Sequence, residues 1–413
     1  PCCRRTDRTA CGGRGRPAGH PRSRRATPAS VRKVSSETPR VVVACDKFKG
    51  SLTATQVAAA IERGIRRIVP GAAVVAVPVA DGGDGTLDAA LAAGFERVPV
   101  RVSGPTGQPV DSAYAWRDGV AVVEMADCCG LLRLPNGVLQ PLTASSRGLG
   151  EAAAAALDAG ARHLVLAVGG SASTDGGAGM LAALGVRLRD AAGTDVPDGG
   201  GNLAALATVD MAALHPRLRD VSVVLATDVR NPLLGDHGAA AIFGPQKGAT
   251  IDQVASLDEA LAHYAHLVTA ATGIDARDLP GAGSAGGVGF AALGVLGATM
   301  RPGVEIVLAW SRFESLLEGA DLVVTGEGSL DRQTLLGKTP AGVAAAARSA
   351  GVPVIAVCGR AGLTEAELAG TGIERVYALT DLEPSPEICM RDADRLLGDL
   401  SARVAEEWLD PIG

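Results

Sequence analysis

Short apolar runs, each closed by glycine and acidic residues, recur along the chain. Residues 41–45 (Val-Val-Val-Ala-Cys) read as a buried strand, followed by a polar loop from Asp46 to Ser51. Thr53 and Gln56 then stand at capping-box spacing ahead of a helical pattern over 54–68, which Pro70 and Gly71 end. A second apolar run, 73–79, empties into Asp81, Gly82, Gly83, Asp84, Gly85 and Thr86, with a helix expected over 86–93. Continuous apolar runs alternating with helical patterns predict a parallel sheet covered on both faces.

From about Glu96 the rhythm changes. Short strands at 98–102, 112–116 and 120–124, separated by turn residues, predict an antiparallel or mixed sheet. Helices are expected at 146–159, 178–184, 256–271 and 288–296, and strands at 163–168 and 221–226. Near Asp321 the first rhythm returns. A strand at 322–325 runs into a glycine-acid loop over 326–337. Thr339 and Pro340 then open a helix as N-cap and N1 proline. A strand at 353–358, a helix capped by Thr364 and Glu367, a strand at 375–379 and a terminal helix from Ser385 to about Leu409 complete the pattern. The expected fold is α/β: a doubly wound parallel-sheet domain split in sequence (41–95 and 300–413), with an inserted α/β domain of mixed sheet (96–299) and a cleft between the two. Ligands in such sheets bind at the carboxyl ends of the strands, which is where the glycine-acid loops fall.

Composition refines this reading. Hydrophobic residues make up 47 % and aromatics only 3 %, so the core must be built of Ala, Val and Leu. Residues 1–40 hold 11 Lys and Arg against 2 acids and lack apolar periodicity, which predicts a disordered basic extension. The remainder carries 28 basic and 43 acidic residues, net −15, and disfavours nucleic acid as a partner. No apolar run is long enough to span a bilayer. The cysteines show no CxxC or metal spacing and read as reduced thiols of a cytoplasmic protein. A homo-oligomer is compatible with the sequence.

Several candidate motifs fail on spacing or context. Gly281, Gly283 and Gly286 match GxGxxG, but the preceding 275–280 is polar and turn-like, so the dinucleotide fingerprint lacks its strand. An anion or substrate loop and close helix packing both remain open there. Gly337, Lys338 and Thr339 resemble the end of a Walker A loop, yet Arg332 occupies the position of its first glycine. Lys338 still reads as a phosphate lysine or a surface charge. Asp81 and Asp84 suit Mg²⁺ or an Asx-turn with a helix cap. Lys47 and Lys49 suit phosphates or a substrate carboxylate, and Lys247 carries the same ambiguity. Asp228, at a strand end, suits a catalytic base, a metal anchor or a turn.

Taken together, the ordered segments resemble the bacterial type I glycerate kinase family. They run from Asp46 to Thr53, 80–86, 169–180, 228–233, 243–249 and 280–287, then Gly326, Glu327, Gly328, Asp331, Gln333, Thr334, Gly337 and Lys338. The resemblance spans 41–413. The chain departs from the pattern at Ser329, where many relatives carry Arg, and at Arg147, where an aromatic residue is expected. The resemblance implies transfer of the ATP γ-phosphoryl group to glycerate with Mg²⁺, giving 2-phosphoglycerate. On that basis Gly281, Gly283, Gly286, Gly287, Glu327 and Lys338 are expected at the ATP phosphates, and Asp81 and Asp84 at the metal. Lys49, Ser171 and Lys247 are expected at glycerate. Asp228 or Asp175 would be the base, with Lys47 assisting transfer. A nicotinamide-dependent hydroxy-acid dehydrogenase and a non-catalytic carboxylate or nucleotide binder are the alternatives.

Overall fold

The computed structural model describes residues 38–332, 334 and 338–409. Residues 1–37 of the basic extension, and Gln333 and Gly337 of the motifs above, lie outside them. In chain order the strands are β1 (Arg40–Cys45), β2 (Ala73–Ala76), β3 (Glu96–Ser103), β4 (Pro109–Arg117), β5 (Val120–Glu124), β6 (His163–Ala167), β7 (Arg187–Arg189), β8 (Thr208–Asp210), β9 (Ser222–Ala226), β10 (Thr299–Arg301), β11 (Leu322–Leu330), β12 (Val354–Ala361) and β13 (Ile373–Ala378).

Five strands form a parallel sheet in the order β13-β12-β11-β1-β2. Successive side chains leave opposite faces of a strand, and both faces here are apolar. Val42, Ala44, Val323, Val354 and Ala356 face one core, while Val41, Val43, Leu322 and Ile355 between them are equally buried. The crossing helices Ala54–Ile68 and Ala393–Trp408 pack closely, because a Cβ on Gly64 would lie 2.3 Å from the Gly398 carbonyl oxygen. The second sheet has six strands in the order β10-β9-β6-β5-β4-β3. Its β10, β9, β6 and β5 run parallel, while β4 and β3 pair antiparallel. The fold is therefore α/β with one parallel and one mixed sheet. β7 and β8 form a separate hairpin-like pair.

Two helices lie between the sheets. In Gly303–Trp310, Val304, Val307 and Leu308 join the core of the five-stranded sheet, while Ile306 joins that of the six-stranded sheet. In Thr86–Ala92, Ala89 faces the first core and Leu87 and Ala90 the second. A helix buried on opposite sides must be apolar around most of its circumference, as Val-Glu-Ile-Val-Leu-Ala-Trp over 304–310 is. Burying each such Val, Ile or Leu stabilises by about 1.5–3 kcal/mol.

Capping chemistry fixes several expected boundaries. Thr53 and Gln56 form the reciprocal capping box of Ala54–Ile68, and Ser385 caps Pro386–Arg391. Other boundaries differ. The expected loop after residue 325 continues β11 to Leu330, paired with β12 as far as Ala361. Gly326 and Gly359 allow that pairing, since their Cβ atoms would lie 2.1 Å and 2.6 Å from backbone oxygens of the neighbouring strand. The helix expected from 256 begins at Ile251, where Thr250 and Gln253 supply a second capping box. The terminal helix is two helices, Pro386–Arg391 and Ala393–Trp408. Lys338, not Thr339, is the N-cap of Thr339–Ser349. The hydroxyl of Thr339 donates instead to Asp46 Oδ2, 3.1 Å away.

Candidate active site

The 81–86 loop lies where the two sheets meet, held by contacts that admit only glycine. Gly82 has φ +89°, and a Cβ there would lie 2.6 Å from the Ala226 carbonyl oxygen at the end of β9. A Cβ on Gly303 would lie 2.2 Å from the Asp81 carbonyl carbon. The Gly169 N–H, just past β6, donates to Gly82 O at 3.0 Å. Helix Thr86–Ala92 has Gly85 as its N-cap and so lacks a capping side chain of its own. Glu124, the last residue of β5, fills that role, accepting from Gly85 N at 3.3 Å and Leu87 N at 2.7 Å. Its burial raises its carboxyl pKa to about 7 despite those two donors.

A cavity of about 650 Å³ opens beside this loop, along the carboxyl ends of β1, β11, β12 and β13. Its walls carry Lys47, Lys49, Asp81, Asp84, Glu327 and Lys338, all singled out by the sequence, together with Asp46. Lys47 Nζ donates to the Asp84 carbonyl oxygen and lies 3.5 Å from Asp46 Oδ1 and 3.9 Å from Asp84 Oδ2. Burial opposes its charge, but Asp46, Asp81, Asp84 and Glu124 outweigh burial and hold its pKa above the ordinary lysine value. Lys338 Nζ sits 3.7 Å from Glu327 Oε2, and Thr334 Oγ1 donates to Glu327 Oε1. Asp46 is buried and its pKa rises to about 6, chiefly by desolvation, with Lys47 opposing and Asp81 reinforcing the rise. The negative charge of Asp81 acts on Asp46, Asp228 and Glu327 together.

Asp228 faces the same charges from the end of β9. Both its carboxylate oxygens are buried without a hydrogen-bond partner among the described residues. The Gly303 N–H favours its charged form without completing a hydrogen bond. Desolvation, then Asp81 and Glu305, raise the pKa to about 7, while Lys338 lowers it. A buried carboxylate left unpaired in this way is costly.

The other expected site residues gather elsewhere. Asp175 is wholly buried and its oxygens are fully engaged. Oδ2 accepts from Ser146 N and Ser146 Oγ, each at 2.8 Å, and from Gly179 N at 3.2 Å; Oδ1 accepts from Gly177 N at 3.2 Å. Lys247 is also buried, donating to Ser171 Oγ at 2.7 Å and to the Ser173 carbonyl oxygen. Desolvation lowers its pKa to about 7 against the pull of Asp175. Gly281, Gly283, Gly286 and Gly287 are buried and do not line the cavity. Their Cβ atoms would lie 2.8 Å from Met300 Sδ, 2.1 Å from Pro232 O, 2.1 Å from Ser173 O and 2.7 Å from Gly176 Cα, respectively. Arg147 is held by Asp198 through two bonds of 2.6 Å and 2.8 Å.

The model of the glycerate kinase family matches residues 41–409. The chain belongs to the glycerate kinase family. It is 43 % identical over 368 residues to a glycerate kinase of Halalkalibacterium halodurans, covering 88 % of this chain and 97 % of that one. It is 46 % identical over 324 residues to a glycerate 2-kinase of Escherichia coli K12, covering 78 % and 85 %. A crystal structure of a protein assigned as glycerate kinase 2 from Salmonella typhimurium LT2 superposes with a TM-score of 0.75 at 42 % identity, covering 89 % and 98 %. The chain is thus an enzyme, a glycerate kinase, and the family implies ATP as co-substrate. Among the described residues, no helix is long and apolar enough to cross a membrane.

Two acids at strand ends, Asp46 in the cavity wall and Glu124 as the buried cap of helix Thr86–Ala92, were not among the expected site residues. Asp46 directly follows β1 and Glu124 ends β5. Both occupy the strand-end position that singled out Asp228, so the rule that selected one would have found all three.

Proposed function

We propose that this enzyme transfers the γ-phosphoryl group of ATP to the 2-hydroxyl of glycerate, giving 2-phosphoglycerate, in the cavity at the ends of β1 and β11. The observation that supports this most is the unpartnered carboxylate of Asp228 beside a lysine-lined cavity. Phosphoryl transfer needs positioned phosphates, neutralised charge and an acceptor for the hydroxyl proton. Lys47 and Lys338 neutralise the phosphates, Lys49 meets the glycerate carboxylate, and Asp228 takes the proton. A base with a pKa near the working pH is well matched to that task.

Mg²⁺ fits the acids of the cavity as a metal shared with substrate. Among the described residues no group of three His, Cys, Asp or Glu could hold a metal by itself. Mg²⁺ commonly takes one or two carboxylates and completes its shell with water and phosphate, so Asp81 and Asp84 suffice as protein ligands. When bound, it supplies charge neutralisation on the phosphate oxygens. Asp175 and Lys247 make their hydrogen bonds within the protein and do not line the cavity. The two sheets correspond in this reading to two domains, 41–95 with 300–413 and 96–299, whose closure excludes water from the transferred group.

The direct test mixes purified protein, ATP, Mg²⁺ and D-glycerate and follows ³¹P NMR. We expect ADP and a phosphomonoester coupled to the C2 proton. A signal coupled to the C3 protons would reassign the acceptor hydroxyl, and absence of any ester would refute the reading.

A further inference from the structure

The cavity changes character along the five-stranded sheet. Charged side chains stand at the ends of β2, β1 and β11, where Asp81, Asp84, Lys47 and Glu327 lie. At the β13 end the lining turns apolar, with Leu379, Pro386 and Met390. Pro386 and Met390 belong to the helix Pro386–Arg391, which follows the turn after β13. Met390 is 53 % exposed, and Leu132 of the same lining is 87 % exposed. Met390 borders the lysine loop directly, since a Cβ on Gly50 would lie 3.1 Å from its Cε. The apolar end is therefore continuous with the charged end. Between them Arg360, at the end of β12, is exposed to the cavity and makes no ion pair among the described residues.

Strand order turns this gradient into a length. From β1 to β13 are three strand spacings, roughly 14 Å. Leu379 stands at that far end, after β13, while Met390 reaches back to the lysine loop, so a nucleoside triphosphate with its terminal phosphate at Lys47 can extend its base past β12 between them. Methionine adapts well to a flat apolar surface, and an exposed apolar patch continuous with a charged cavity marks a ligand site.

We propose that the β13 end of the cavity holds the purine base of the nucleotide against Leu379, Pro386 and Met390, with Arg360 on the path of the phosphates. The assignment rests on the kinase reading above and locates the nucleotide away from the glycines at 281–287.

Steady-state kinetics of Met390→Ala, which removes apolar contact without adding a charge beside Lys49, test it, with inorganic tripolyphosphate as a competitor that has phosphates but no base. We expect the KM for ATP to rise about tenfold or more, with the KM for glycerate and the inhibition constant of tripolyphosphate unchanged. An unchanged KM for ATP, with tripolyphosphate still competing, would overturn the assignment while leaving the kinase reading intact. Loss of both ATP turnover and tripolyphosphate binding in the unmutated protein would overturn the two together. A second measurement needs no variant. Photolabelling with 8-azido-ATP, blocked by ATP, is expected to mark peptides within 379–391. Labelling confined to 281–287 would overturn the proposal.

Discussion

Two regions of this chain look alike in sequence and differ in what their polar groups do. Both combine glycine-rich loops at strand ends with a lysine, an aspartate and a following helix. In the first, around 46–49, 81–86 and 326–331, the lysines and acids line a cavity, and Asp228 beside it has no partner among the described residues. In the second, around 169–179, 243–249 and 281–287, the charged groups are satisfied within the protein, while the hydroxyls of Ser173 and Thr174 are buried without a partner among the described residues. Asp175 accepts four hydrogen bonds and Lys247 donates two, both buried. Glycine serves opposite ends in the two regions. Gly82 and Gly303 let loop and helix approach so that Asp81 is presented, whereas Gly283 and Gly286 let backbone pack on backbone. The lesson is that a glycine-acid loop announces a close approach, and only the partners of its polar atoms say whether the approach serves a ligand or the fold.

The comparison is broken most severely if Asp228 proves dispensable. Asp228→Asn should lower kcat by about 10³-fold, with ATP affinity by calorimetry nearly unchanged. The unmutated enzyme should lose kcat/KM as pH falls below about 7, the value to which Asp228 is raised. Near-normal turnover in the variant would remove Asp228 as the base.

In the second region the large effect should be on stability. Asp175→Ala strands several buried donors and should cost about 3–5 kcal/mol in urea denaturation. The folded fraction should turn over within about tenfold of the parent. A collapse of kcat with stability intact would move Asp175 into the reaction.

Gly303→Ala sharpens the contrast further. Its new methyl group would press on Asp81, and a displacement of about 1 Å at a reacting site costs about 10²-fold in rate. The expected outcome is a lower kcat with a modest change in Tm.

The last expected effect is a pH slope in stability. The pKa of Lys247 falls from 10.5 to about 7 on folding. Between those values the unfolded chain binds more protons, so native stability rises with pH through that window. The penalty of burying the charged amine is greatest below about 7. Lys247→Met should flatten this slope in thermal melts at pH 7 to 10, and an unaltered slope would show that the amine is charged in the fold.

Much of this was legible beforehand. Apolar runs and capping boxes located β1, β6, β9 and Ala54–Ile68 to within a residue or two, because burial on both faces and a cap leave a local signature. The extension of β11 through Gly326, Glu327 and Gly328 was not, since pairing with β12 overrides the loop character of glycine. Helix Gly303–Trp310 was missed because a helix buried between two sheets lacks an amphipathic period. Lys47, Asp81 and Lys338 were identified by their strand-end and helix-start positions and are brought together. Lys247 and Gly281 could not be separated from them, because the distinction depends on tertiary hydrogen bonds and on Pro232, Ser173 and Met300 packing against those loops.

On the reading proposed above, reaction takes place where Lys47 stands. This placement is tested most directly by kcat at saturating ATP and glycerate for Lys47→Met, measured on protein whose Tm matches the parent. We expect a fall of about 10³-fold. A kcat within about tenfold of the parent would contradict the placement of the active site in this cavity.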